Sequence, residues 1–257
     1  ARYIKNKRYK YIPYHKLFER IDDIVVLDAG KFEGYANRDS LIYRESYGLN
    51  NINTIFRGTL RRKGFCRSWN IFVQLGMTDD SYVIRGSNTM TYREFTNLFF
   101  PYNDKLSVEQ KFCNYLELSN DSKEFKKVEW LGIFNQQKIE IMDATPAQIL
   151  EKILKSKWTL DTKDKDMVVM QHQFEYNVNG VNERLHSSLL VFGEDENNTA
   201  MAKTVGLPVA IAAKLILNGE ITERGVAIPT SREIYDQVLP ELEEFGIFFI
   251  DELINID

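Results

Sequence analysis

Three arginines lie close to glycines in two short segments, Arg38 in GYANRDS and Arg57 and Arg61 in RGTLR. A guanidinium presents a rigid fork of donors that can grip a carboxylate through two parallel bonds, and small neighbours let a ligand approach. Such a cluster suits an anionic ligand. The same residues also fit a plainer role. Arg38 can pair with Asp39 or Glu33, leaving Arg57 and Arg61 as surface charges on an edge strand. Residue types alone do not separate the two.

Other chemistries lack their residues. The fourteen glycines are dispersed, and none forms the G-x-G-x-x-G turn that brings backbone amides to a pyrophosphate or the G-x-x-x-x-G-K-S/T phosphate loop. No G-x-S-x-G elbow occurs, and the acids are too many for a hydrolytic pair to stand out. Asp79 with Asp80, and the run GEDEN at 193–197, read as solvated turns. Three histidines and two cysteines, without CxxC or HExxH spacing, give no support for a metal, and Cys66 and Cys113 read as buried neutral thiols.

Periodicity supplies the elements that must position the arginines. DIVVLDA, Asp23 to Ala29, reads as a mostly buried strand, followed by the loop KFEGYANRDS and a short helix from Leu41 to Tyr47 that stops at Gly48. NTIFRGTLR alternates as a site-lining or edge strand, with Ile55, Arg57, Thr59 and Arg61 on one side. Phe65, Trp69, Phe72 and Val73 then recur at helical spacing, ended by Gly76. Met90 to Trp158 reads as helical, with capping boxes at Thr91–Glu94 and Ser107–Gln110 and a start at Thr145–Pro146. Phe125, Val128, Trp130, Leu131 and Phe134 mark one apolar face there.

DMVVMQHQFEYNV and ERLHSSLLVFG, joined around Asn179 and Gly180, predict an antiparallel hairpin whose second strand lies inside a larger sheet. A small-residue helix from about Thr199 to Asn218 carries the stripe Val209, Ala212, Ala213, Ile216 and Leu217, suited to close approach by a sheet or another domain. A last helix, capped by Thr230 or Ser231, leads into IFFI, which reads as a strand.

Composition bounds the partners. With 44% hydrophobic and 27% charged residues the chain can bury a sizeable core, and a net charge of −4 offers no field for a nucleic-acid backbone. The basic, tyrosine-rich stretch Arg2 to Lys10 reads as a solvated terminus. No apolar run near the roughly 18 residues of a membrane span is evident, and no secretory leader, so the expected setting is intracellular. A start at Ala1, inside a polar aromatic stretch, suggests a fragment or a processed product.

FEGYANRDSLIYRESYGL followed by TIFRGTLRRKGFCRSW resembles the glutamate-forming saccharopine dehydrogenases, including the second half of the bifunctional lysine-degrading enzyme of animals and plants. KDMVVMQHQF, AMAKTVGLPVAIAAKLILNGEI, RGVAIP and EIYDQVLPELEEFGI resemble the same family in the same order, so the likeness covers nearly the whole chain. The resemblance implies an enzyme that oxidises saccharopine with NAD or NADP, the imine then hydrolysing to glutamate and aminoadipate semialdehyde. It implies a substrate and dimer region whose nucleotide-binding domain and acid/base residues lie upstream of Ala1, with no cofactor bound to this chain itself and the alanine-rich helix packing on the upstream domain. A homodimer follows, in the cytoplasm or, for a bifunctional eukaryotic enzyme, the mitochondrion.

By motif, Arg38 and Asn37 are the first choices for carboxylate contacts, with Tyr35, Arg57 and Thr59 beside them. Ala36 and Arg62 depart from the family's usual proline and aromatic residue. The implied fold is α+β, a largely antiparallel mixed sheet with flanking helices and a helical subdomain, lacking a complete Rossmann domain. Its expected parts are 1–89 and 161–228 as the two pieces of the substrate domain, 90–160 as the helical subdomain, and 229–257 as a closing helix and strand. A non-catalytic binding module derived from this family, or a sister dehydrogenase for another amino dicarboxylate, stays open.

Overall fold

In the computed structural model, which describes residues 1–255, the polar start of the chain folds back on itself as β1 (Arg2–Lys5) and β2 (Arg8–Tyr11). Asn6 and Lys7 turn it with positive φ, the twist a two-residue hairpin demands. Next come β3 (Ile21–Val26), β4 (Gly30–Ala36), the single-turn α1 (Tyr43–Ser46) and β5 (Gly58–Arg62). The strands form an antiparallel sheet with β4 at its centre, in a register that sets Glu33 opposite Arg61 and Tyr35 opposite Thr59. A 3-10 helix at Tyr14–Glu19 and α2 (Phe65–Leu75) share with this sheet a small core of Leu17, Phe18, Ala36, Cys66 and Val73.

The other side of α2 supplies Ile71, Phe72 and Leu75 to a larger, aromatic core shared with α3 (Tyr92–Asn97), α4 (Val108–Leu116), α5 (Lys123–Trp130) and α6 (Pro146–Trp158). Phe112 lies edge-on to Phe100, Phe125 and Phe134 at 5.4–6.1 Å between ring centres. Both predicted capping boxes form with both reciprocal bonds, and Thr145 and Gln148 make a third in front of Pro146.

β6 (Met167–Val178) and β7 (Val181–Phe192) pair over their whole length around Asn179 and Gly180, both at positive φ. After α7 (Ala200–Leu217) and α8 (Arg232–Glu244), β8 (Ile250–Asn255) joins the free side of β7, which becomes the central strand expected of it. The two helices cover one face, where Leu189, Val191, Ile211, Leu215, Val238 and Leu242 are buried together. The fold is α+β, antiparallel sheets with flanking helices and a helical cluster.

Several local expectations are corrected. DIVVLDA is not a mostly buried strand: β3 is an edge strand, Val25 is 57% exposed, and the chain leaves extended geometry at Leu27, with φ +41°. The closing strand begins only at Ile250, the last residue of IFFI, and runs on to Asn255, because Ile247 is drawn into the core just after α8 ends. Trp130 faces outward beneath Lys157 instead of joining the apolar face of α5. α7 is, against the sequence reading, long and apolar enough to cross a membrane by length and composition alone. It packs through Ile211 and Leu215 and pairs Lys214 with Glu241 of α8, while Val209, Ile216 and Leu217 of the predicted stripe are exposed.

Candidate functional site

The loop Asn37–Ser40 leaves the end of β4 beside the start of β5. Asn37 N–H donates to the Arg57 carbonyl at 2.8 Å, which carries the ladder one residue past the Ala36–Gly58 pair. Alternation along paired strands assigns Tyr35, Asn37, Arg57 and Thr59 to one face. Arg38 then takes φ +49°, the left-handed region uncommon for a residue with a side chain.

That conformation is held by the start of the chain. Arg2 N–H donates to the Arg38 carbonyl and Ser40 N–H donates to the Arg2 carbonyl, each at 2.8 Å. The Arg2 guanidinium pairs with the Asp39 carboxylate, whose other oxygen accepts from Leu41 N–H at 3.0 Å. Ser40 is 2% exposed, and its Oγ accepts from Arg57 N–H at 2.9 Å.

The two acids that offered Arg38 an ordinary ion pair are engaged elsewhere. Asp39 belongs to Arg2. Glu33 is buried at the start of α2, where it accepts from Gly64 N–H at 2.7 Å and Cys66 N–H at 3.0 Å. Burial alone would raise the Glu33 carboxyl, but those amides hold it below its ordinary value. Burial, with Glu33 adjacent, pushes the Cys66 thiol up to about 12. Among the described residues the exposed Arg38 guanidinium has no hydrogen-bond or ion-pair partner.

Arg57 is also exposed and also without an acid. Its Nη1 donates to the Tyr43 hydroxyl at 2.8 Å, the guanidinium stands 5.1 Å from the centre of that ring, and Tyr47 stacks behind it. Tyr35 is partly committed to packing: its ring meets Phe18 at 4.8 Å and burial pushes its phenol up. Thr59 is half-buried opposite it. The backbone therefore places Asn37, Arg38 and Arg57 side by side where β4 ends and β5 begins, with Tyr35 and Thr59 further down the sheet.

Neither of two concave regions includes these residues. One is lined by Tyr3, Lys5, Ile12, Arg20 and Phe56, the other lies between β3 and the β6–β8 sheet beside Asp23, Asp28, Gln171, His186 and Glu252. Arg38 and Arg57 are both exposed at their rim. Sequence reading missed Arg2, Asp39, Ser40 and Tyr43 as parts of it. Ser40 sits within the quoted motif, but nothing local marks Arg2 as its partner.

A model of the saccharopine dehydrogenase C-terminal domain matches residues 1–247. The chain belongs to that family. The alpha-aminoadipic semialdehyde synthase, mitochondrial, of Rattus norvegicus is 37% identical over 226 residues, covering 84% of this chain and 24% of that protein. The saccharopine dehydrogenase [NADP(+), L-glutamate-forming] of Saccharomyces cerevisiae is 29% identical over 271 residues, covering 99% of this chain and 58% of the relative. The solved apo saccharopine dehydrogenase (L-Glu forming) of that yeast superposes with a TM-score of 0.85 at 27% identity, covering 99% of this chain and 58% of that one. This C-terminal domain thus spans between a quarter and three fifths of the length of these relatives.

Proposed function

We propose that this chain is the substrate-binding and dimerisation part of a saccharopine dehydrogenase, an NAD- or NADP-dependent oxidoreductase of lysine metabolism. Arg38 and Asn37 bind a carboxylate of saccharopine, Arg57 reaches a second one, and Tyr35 and Thr59 shape the floor between them. Saccharopine carries three carboxylates, so more than one guanidinium is chemically expected. The observation that carries the reading is that the Arg38 guanidinium stands exposed while both acids beside it are bound to other groups.

The residues present do not fit a dinucleotide: no described strand runs into a G-x-G-x-x-G turn. Nicotinamide chemistry then belongs to a segment outside this chain, which by itself binds and orients substrate without turning it over. The exposure of both arginines agrees with this, because a second lobe is needed to enclose the ligand and exclude water. The homodimer surface of this reading is the apolar outer part of the β6–β7 hairpin, where Phe174, Val178 and Val181 are exposed, together with the exposed Leu253 of the adjoining β8.

The test is steady-state kinetics of the full-length protein. Arg38→Ala raises KM for saccharopine at least about tenfold, since losing a charged hydrogen-bonding partner costs about 1.5–3 kcal/mol. An unchanged KM removes Arg38 from the site.

A further inference from the structure

Two bonds meet in Ser40. Its N–H donates to the Arg2 carbonyl at 2.8 Å, fixing the loop that carries Arg38 to β1, and its Oγ accepts from Arg57 N–H at 2.9 Å. The Arg57 carbonyl in turn accepts from Asn37 N–H at 2.8 Å, so the Arg57 residue is tied on both sides to the one loop. Ser40 itself is buried at 2% exposure. Without the hydroxyl, Arg57 N–H loses its acceptor in a part-buried place, and a left-handed Arg38 loses one of the ties that hold it.

We infer that Ser40 is a positioning residue of the carboxylate site, its buried hydroxyl latching the Arg38 loop to the Arg57 backbone so that both guanidiniums address one ligand from fixed places. This rests on the substrate-binding role proposed above. Specificity follows from the latch: two forks held at constant separation favour a ligand whose carboxylates match that spacing over shorter diacids.

The experiment measures KM and kcat for saccharopine in the full-length protein bearing Ser40→Ala, Arg38→Ala, Arg57→Ala and the double variant Ser40→Ala with Arg57→Ala. Ser40→Ala raises KM about three- to tenfold and leaves kcat within about twofold. In the Arg57→Ala background the same change has a smaller effect, because a residue that acts through Arg57 has less left to position. An unchanged KM in Ser40→Ala, alongside a raised KM in Arg38→Ala, overturns the latch and spares the site. Equal factors in both backgrounds also overturn it, as they mark a general loss of stability. If neither arginine variant moves KM, the substrate-binding reading falls and the latch with it. Should Ser40→Ala lose its cooperative melt, Ser40→Cys, similar in size but a weak acceptor, takes its place with the same expectations.

Discussion

Glu33 illustrates how a single residue changes meaning once its surroundings are fixed. In sequence it is one acid in a loop rich in candidate ligands; folded, it is 4% exposed and caps α2 through two amides, at 2.7 and 3.0 Å. Glutamine can offer only one oxygen to those two donors and turns its own NH2 toward an amide N–H. Glu33→Gln therefore lowers the unfolding free energy by about 1–3 kcal/mol in urea titrations. The carboxyl is held below its ordinary 4.5, so its stabilisation is complete above that value and fades as pH falls through the folded one. Cys66, with its thiol pushed up to about 12, reacts with thiol reagents only as the protein unfolds. Equal stability of wild type and Glu33→Gln at pH 7 contradicts this account of the cap.

At the scale of elements, what the sequence made legible was whatever depends on a few consecutive residues. Thr91–Glu94 and Ser107–Gln110 could be read as caps because both partners of each box lie three residues apart, and Asn179–Gly180 as a turn because both must take positive φ. Contacts between elements were not legible in this way. Arg93 of α3 grips Glu109 of α4 bidentately at 2.6 and 2.8 Å, a pair that exists only because the helices pack; in the same way Arg2 reaches Asp39 across 37 positions. Arg93 holds the Glu109 carboxyl down to about 2. Its contribution is thus fully present above pH 4.5 and is lost as pH falls from there to about 2. With both side chains roughly a quarter exposed, solvent screening leaves about 1 kcal/mol. Thermal melts of Glu109→Gln should lie below wild type at pH 7 and converge with it near pH 2; parallel curves across that range contradict the assignment.

For the whole molecule, the deciding question is what covers the surfaces that this chain leaves bare. Along α7, Met201, Val205 and Val209 recur every four residues at 59–68% exposure, while Ile211 and Leu215, on a neighbouring stripe, are buried against the sheet. The pattern of small and apolar residues was readable from sequence, but not which stripe faces inward, since both stripes are apolar and only packing distinguishes them. An exposed apolar row of this kind is costly unless something lies on it. The relatives are longer than this chain, which spans 58% of the yeast protein, and we propose that the row packs on a segment outside it. Val205→Glu with Val209→Glu then separates the two states of the protein. In the isolated chain the melting temperature stays within about 2 °C and solubility rises, because exposed valines contribute little to a core. In the full-length protein the same pair loses at least about 2 kcal/mol, from two desolvated methyl-bearing side chains and two charges forced into an apolar contact. Identical melting of the full-length wild type and double variant would leave this face of α7 facing solvent and assign the interdomain contact elsewhere.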